Sequence, residues 1–151
     1  MTPSTADVAP FTASVTELWL RVAIAAICGG LVGWDRERKD RPAGIRTHLL
    51  VAIGAAGFTL LATEMGEKSR AVDPTRMIQG VIGGVGFLGA GAILQSRGNV
   101  QGMTTAAGIW VVAAIGIAAG LGEYHLLAAL LVMTLLALTV LHGVGQRRSK
   151  P

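Results

Sequence analysis

The residues from Asp73 to Gly120 constrain this chain most, because they form two apolar runs that are crowded with glycine and alanine. A short polar link, Gln95 to Gln101, separates the two runs, and each run is about long enough to cross a lipid bilayer. Water does not drive helices together inside a membrane, so membrane helices gain stability when small residues let their backbones approach closely. The pattern therefore predicts a tight pair of membrane helices.

Glycines four residues apart mark the predicted contact surfaces, since residues at this spacing lie on one face of a helix. These pairs predict helix packing at Gly29, Gly33, Gly80, Gly84, Gly116 and Gly120. The stretch from Gly83 to Gly91 is so rich in glycine that both a continuous helix and a broken or re-entrant helix are open. A broken helix would need to be covered by protein or to line a water-filled cavity.

The composition places the whole chain among membrane proteins. Hydrophobic residues make up 52% of the 151 residues, the mean hydropathy is +0.57, and the 15% that are charged cluster between apolar runs. The sequence predicts an all-α, polytopic membrane protein, a glycine-rich and close-packed bundle of about five transmembrane helices. The predicted spans are 18–34, 47–63, 77–94, 103–121 and 126–144.

Three segments are expected along the chain. They are a flexible N-terminal lead at 1–16, a transmembrane domain at 17–145 and a basic C-terminal tail at 146–151. The lead has no basic stretch and carries Asp7, so we expect no cleavable signal peptide.

Membrane orientation explains the formal net charge of +4 better than nucleic-acid binding does, because Lys and Arg fall at the ends of the apolar runs. Basic residues favour the cytoplasmic side of a membrane. This rule predicts that the N-terminus lies outside and the C-terminus in the cytoplasm. The basic residues placed inside are Arg36, Arg38, Lys39, Arg41, Arg46, Arg97, Arg147, Arg148 and Lys150.

The densest charge cluster runs from Asp35 to Arg46 and interleaves acids with bases. A loop that only sets orientation needs the bases, whereas carboxylates add little to topology. The acids Asp35, Glu37 and Asp40 therefore suggest either an ion-pair network that fixes the turn or a polar site. Of these two interpretations, the sequence favours the ion-pair network.

Asp73 has two interpretations. It precedes Pro74, and an Asp-Pro pair is a favourable start for a helix. Its carboxylate is also a hard oxygen ligand of the kind that Mg²⁺ takes, with Glu64 or Glu67 as further ligands. Arg76 lies one turn later and would weaken a metal site by pairing with Asp73. The sequence establishes no cofactor, and Mg²⁺ is the candidate divalent cation for this loop.

Thr104 and Thr105 open the fourth predicted span near the same inner surface as Arg46 and Thr47. The amides of a helix N-terminus favour an anion, although capping and interhelical hydrogen bonds are the more common roles for such threonines. The three histidines share no metal-ligand spacing, and the sequence contains no nucleophile elbow, phosphate-binding loop or zinc-protease motif. We therefore expect no enzyme.

Two long stretches of the sequence carry recognisable motifs. The first is Gly29 to Leu50, with a glycine-spaced helix end, an acid–Arg pair and an AGLRT-type turn. The second is Asp73 to Gly120, with DPxR, GxGFLGAG, a TTAA segment and Trp110. Together these motifs resemble the MgtC/SapB family of membrane proteins. Asp35 stands where the family usually has Glu. Many family members carry an ACT-like domain after the last span, so this chain is expected to correspond to the N-terminal transmembrane domain only.

The resemblance implies a protein of the bacterial inner membrane that is tied to growth in low magnesium and, in pathogens, to survival inside phagocytes. It implies a non-enzymatic regulator of a membrane partner, such as the ATP synthase, or alternatively a small transporter or channel for Mg²⁺ or another cation. We expect a homo-oligomer in the lipid bilayer and no nucleic-acid partner. The functional residues that it implies are Arg36, Glu37, Arg41, Arg46, Thr47, Asp73, Arg76, Thr104 and Thr105, and we also assign Asp35 to the functional polar cluster.

Overall fold

A computed structural model describes residues 14–69, 73–96 and 99–146. Over these residues the chain forms five α-helices and one short β-hairpin between the third and fourth helices. The helices and strands are α1 (Val15–Glu37), α2 (Ile45–Lys68), α3 (Pro74–Gly91), β1 (Leu94–Ser96), β2 (Asn99–Gln101), α4 (Met103–Leu121) and α5 (Tyr124–Gln146). The predicted lead and tail fall mostly on 1–13 and 147–151, which lie outside the described residues.

The predicted all-α membrane bundle is confirmed. Each predicted span corresponds to one helix, and the fourth has the predicted bounds, Met103–Leu121. Within the described residues, α1, α2 and α4 are the helices that are long and apolar enough to cross a membrane. Helix α3 is 18 residues long and begins with polar residues, which lowers its hydropathy. Helix α5 contributes a shorter apolar segment, Tyr124–Val140.

The glycine-rich part of α3 is a continuous helix as far as Gly91, so the broken or re-entrant alternative is not what forms. The polar link that follows is not an irregular loop. Leu94 pairs with Gln101, and Ser96 with Asn99, in an antiparallel hairpin. Gly102 then takes a φ of +89°, a left-handed conformation that glycine adopts without strain, and α4 begins at the next residue.

Helix α2 lies between α1 and α4, and glycines make both contacts close. On α1, a Cβ atom built on Gly29 would lie 2.6 Å from the His48 carbonyl oxygen, and one on Gly33 would lie 2.6 Å from the Cα of Ile45. On α4, a Cβ on Gly120 would lie 2.8 Å from the carbonyl oxygen of Ala56. Gly116 meets the backbone of α2 in the same way, at Ala52. A methyl group does not fit at these positions, so the helices pack backbone against backbone.

The sequence predicts a close contact between α3 and α4, the two helices of the segment 73–120, and the structure has this contact at only some of the glycines. No atom of the described residues lies within 4 Å of the Cβ position of Gly80 or Gly84, so neither glycine makes a close contact with this part of the chain. Helix α3 contacts α4 near the C-terminus of α3, where a Cβ on Gly89 would lie 3.6 Å from Ala106. The spacing showed which glycines share a face, but it did not show that the face of Gly80 and Gly84 points away from α4.

The α1–α2 contact yields a matched pair of substitutions. Gly29→Ala places a methyl group against the backbone of α2, and overpacking of this kind costs about 1–3 kcal/mol. Gly54→Ala, in the interior of α2, meets no described atom within 4 Å and should be neutral or stabilising by up to about 1 kcal/mol. Unfolding of the two variants in detergent, followed by helical circular dichroism, measures this difference. Equal stability of the two variants would contradict the backbone contact.

Candidate functional site

The polar cluster that follows α1 forms a tight turn. The Arg36 carbonyl oxygen accepts hydrogen bonds from the amides of Lys39 and Arg41, each at 3.1 Å, and Asp40 takes a positive φ of 51°. Glu37 then reaches across the turn, and its Oε2 accepts from the Ile45 amide at 2.8 Å. That amide belongs to the first turn of α2, which has no other side-chain cap. Glu37 therefore connects the end of α1 to the start of α2.

Asp35 and Lys39 form the ion pair of this cluster. They lie four residues apart around the end of α1, and their Nζ–Oδ1 distance is 2.7 Å. Lys39 Nζ also donates to the Leu138 carbonyl oxygen at 2.9 Å, which connects the cluster to α5. The network expected from the alternating charges is present in part, since Asp35 has an ion-pair partner and Glu37 serves as a cap.

Arg36 is buried, with 4% of its surface exposed, although it lies at the end of α1. Its Nη2 donates to the Thr105 hydroxyl at 2.6 Å, and Thr105 is itself buried in the first turn of α4. Within the described residues, no carboxylate lies within ion-pair distance of the Arg36 guanidinium, and its Nε has no hydrogen-bond acceptor. The site thus holds a buried cation whose charge is not balanced by a contacting acid.

His48 is fully buried near Arg36. Its Nδ1 lies 2.9 Å from the Gly44 carbonyl oxygen and donates to it. The other ring nitrogen, Nε2, has no partner among the described residues and faces α4, where a Cβ on Gly108 would lie 3.6 Å away. A buried polar atom without a partner is uncommon, and this end of the bundle has two, Arg36 Nε and His48 Nε2.

A groove of about 1330 Å³, here called the basic groove, opens between the polar turn, α4 and α5. Its polar lining combines basic side chains, one carboxylate and the threonines of the first turn of α4. These residues are Arg36, Lys39, Asp40, Arg41, Thr104 and Thr105, and the uncharged polar residues Gln101 and Thr134 also line the groove. The structure thus brings four of the predicted site residues, Arg36, Arg41, Thr104 and Thr105, into one lining.

The other predicted site residues lie elsewhere. Arg46 and Thr47 are exposed in the first turn of α2 and are not part of the groove lining. Asp73 and Arg76 lie at the start of α3. The hairpin residues beside the groove follow the opposite end of the same helix. The sequence-based set is therefore not a single site but a cluster at one end of the bundle together with a separate pair at the start of α3.

Asp73 is the N-cap of α3 and Pro74 is its first residue, as predicted. Asp73 Oδ1 accepts from the Thr75 amide at 2.9 Å and from the Thr75 hydroxyl at 2.7 Å. These hydrogen bonds, with a smaller effect of Arg76, hold the pKa of Asp73 below its ordinary value, so the carboxylate is ionised at neutral pH. Among the described residues no group of three or more His, Cys, Asp or Glu side chains could hold a metal ion. A role of Asp73 as a metal ligand stays a prediction.

Arg21 lies on α1 beside the C-terminus of α4. It is buried, pairs with Glu17, and its Nη1 donates to the Gly120 carbonyl oxygen at 2.7 Å. A cation at the C-terminus of α4 is favourable, because the unpaired carbonyl groups there carry partial negative charge. Helix α1 thus holds both ends of α4, Arg21 at the C-terminus and Arg36 at the N-terminus.

Sequence reasoning also missed the roles of Lys39 and His48. A usable signal existed for His48, because Ala52, Ala55, Ala56 and Thr59 follow it at helical spacing and form one buried face. A histidine in line with such a face is expected to be buried. No comparable signal existed for Lys39, whose partner Leu138 offers only a backbone carbonyl and lies 99 residues away.

The described helices and the buried contacts between them define a compact all-α membrane bundle with a basic polar end. A family model described as the MgtC family matches residues 22–147, and the chain belongs to that family. The family resemblance expected from the two motifs is therefore confirmed. No solved structure matches the chain.

Curated relatives support the same assignment. The chain is 43% identical over 136 residues to the "Putative magnesium transporter YhiD" of Escherichia coli, covering 87% of this chain and 63% of that protein. It is 38% identical over 128 residues to "Protein MgtC" of Salmonella typhimurium, covering 85% and 54%. It is 43% identical over 120 residues to "Protein SrpB" of Synechococcus elongatus, covering 72% and 66%. The aligned region thus spans between about half and two thirds of each relative.

The contact between Arg36 and Thr105 can be tested by a conservative pair of substitutions. Thr105→Val keeps the shape of the side chain but removes the acceptor from a buried guanidinium, which should lower the free energy of unfolding by about 1.5–3 kcal/mol. Thr105→Ser retains the hydroxyl and should lose clearly less. Denaturation in detergent, followed by circular dichroism, gives both values. A Thr105→Val protein as stable as the unmodified chain would contradict the contact.

Proposed function

We propose that this chain is a non-enzymatic regulator in the bacterial inner membrane, that it is linked to magnesium homeostasis, and that it acts on another membrane protein. The link to magnesium comes from the family and from the printed name of the Escherichia coli relative. The proposed orientation has the N-terminus outside, which puts the basic groove on the cytoplasmic side. A membrane protein such as the ATP synthase is the kind of partner that the family resemblance implies.

The observation that carries the choice of a regulator is the charge of the basic groove. Arg36, Lys39 and Arg41 line it together with the carboxylate of Asp40, and because Lys39 is paired with Asp35 the excess positive charge comes from the two arginines. A lining with excess positive charge repels Mg²⁺, because like charges repel, and among the described residues it offers only one carboxylate of the kind that binds this ion. The large opening at this end of the bundle is thus poorly suited as an entrance for cations.

The middle of the bundle supports the same choice. At Gly116 and Gly120, the backbones of α2 and α4 are in direct contact, which leaves no space for an ion between these two helices. The backbone carbonyls of a broken helix would have offered a route for a cation. Because α3 is continuous from Pro74 to Gly91, its carbonyls are engaged in helical hydrogen bonds instead.

Transport of Mg²⁺ or another cation is the second candidate, and the printed name of the Escherichia coli relative favours it. A route would then have to form between copies of the chain rather than within one copy. The open face of α3 around Gly80 and Gly84 is where we place self-association, because small residues let membrane helices approach closely. Both candidates are therefore compatible with a homo-oligomer.

A bacterial strain without its own magnesium transporters, kept alive by high external magnesium, separates the two candidates. Expression of this chain should not relieve the magnesium requirement, because a regulator needs another protein to move the ion. An established magnesium channel expressed to the same level is the positive control, and membrane insertion of the chain is checked by immunoblot. Growth of the strain in low magnesium on expression of this chain alone would contradict the proposal.

A further inference from the structure

The basic groove has a charged end and an apolar wall. Lys39 bonds to the Leu138 carbonyl, so Leu138 is level with the polar end. Leu130 also lines the groove and lies eight residues earlier on α5, which places it about 12 Å deeper along the helix axis. On the α4 side, the lining extends from Thr104 to Val111, which is a similar length of about 10 Å along that helix. The groove thus extends from the polar end of the bundle into its apolar part.

The charged end of the groove has an excess of positive charge, because Lys39 is paired with Asp35 and the two arginines of the lining outnumber the carboxylate of Asp40. Arg36 lines the groove, is buried, and has an Nε group without an acceptor among the described residues. The first turn of α4 also begins here, and Gly102 gives it no side-chain cap. The amides of Met103, Thr104 and Thr105 therefore lack intrahelical acceptors. The partial positive charge of this helix end adds to the charge of Arg36 instead of offsetting it.

We propose that the basic groove binds one anionic phospholipid. The phosphate diester would lie among Arg36, Arg41 and the first turn of α4, where guanidinium groups, hydroxyls and amides are all donors suited to phosphate oxygens. An acyl chain would lie along Val111, Leu130 and Met133. The proposal goes beyond regulation of a partner and holds whether or not the chain moves ions.

A lipid suits the groove better than free phosphate does. The volume of about 1330 Å³ exceeds the roughly 300–1,000 Å³ of sites that enclose drug-sized ligands, whereas phosphate alone would occupy only the polar end. The apolar side chains of the lining would make no favourable contact with a free anion. Met133 is also 65% exposed, and contact with an acyl chain would cover it. Charge at one end and apolar surface along the rest are complementary to a phospholipid.

Native mass spectrometry of the purified full chain in detergent tests this proposal. Titration with dioleoyl phosphatidylglycerol should give one tight adduct, at least tenfold tighter than that of the zwitterionic dioleoyl phosphatidylcholine. Arg41→Gln should weaken the phosphatidylglycerol adduct about fivefold, the effect of one basic residue near an anionic headgroup. Arg46→Gln removes the same charge at the same end but outside the groove, and should leave the adduct unchanged.

Arg36→Gln should weaken the adduct most, but Arg36 also bonds to Thr105, so its variant must first show unchanged helicity. If that variant does not fold, the comparison of Arg41→Gln with Arg46→Gln decides. Equal binding of the two lipids, or equal effects of these two variants, would overturn the proposal. Inorganic phosphate that displaced phosphatidylglycerol at millimolar concentration would show a site for free anions and would also overturn it.

Discussion

Close backbone contact between α2 and its two neighbours is the constraint on which the rest of the structure depends. Gly29 and Gly33 on α1, and Gly116 and Gly120 on α4, each lie where a methyl group would collide with α2. In a membrane such contacts replace the hydrophobic effect as a source of stability, since lipid and core are equally apolar. These contacts fix the separation of α1, α2 and α4. Polar groups at the helix ends are thereby held close enough to form hydrogen bonds.

Two buried arginines use that fixed separation in opposite electrostatic settings. Arg21 lies at the C-terminus of α4, where the carbonyl of Gly120 and the side chain of Glu17 both offset its charge. Arg36 lies at the N-terminus of the same helix, where the local potential already favours anions, and its contact there is the neutral hydroxyl of Thr105. The charge of Arg21 is thus offset by a contacting acid, whereas within the described part of the chain the charge of Arg36 is not. This asymmetry is the physical reason to look for function in the basic groove.

The elements of the fold could be predicted because each rests on local patterns. Apolar runs of membrane length predicted the five helices, and the Asp-Pro pair predicted the cap of α3 at Asp73. The site could be predicted only in part, because it depends on which helices become neighbours. Spacing identified Gly80, Gly84, Gly116 and Gly120 alike, yet only the last two face α2. In the same way, sequence could not show that Arg36 meets Thr105 across 69 residues or that Lys39 reaches α5.

The central functional claim is that a bundle with α2 and α4 in backbone contact and with a net positive groove does not itself carry cations. Mg²⁺ entry into liposomes that hold the purified chain, read by an internal Mg²⁺-sensitive dye, tests this claim most directly. We expect entry no faster than into empty liposomes, from protein whose helicity is intact. Entry above that background, lost on Asp73→Asn, would contradict the claim and would place Asp73 on the route of the ion.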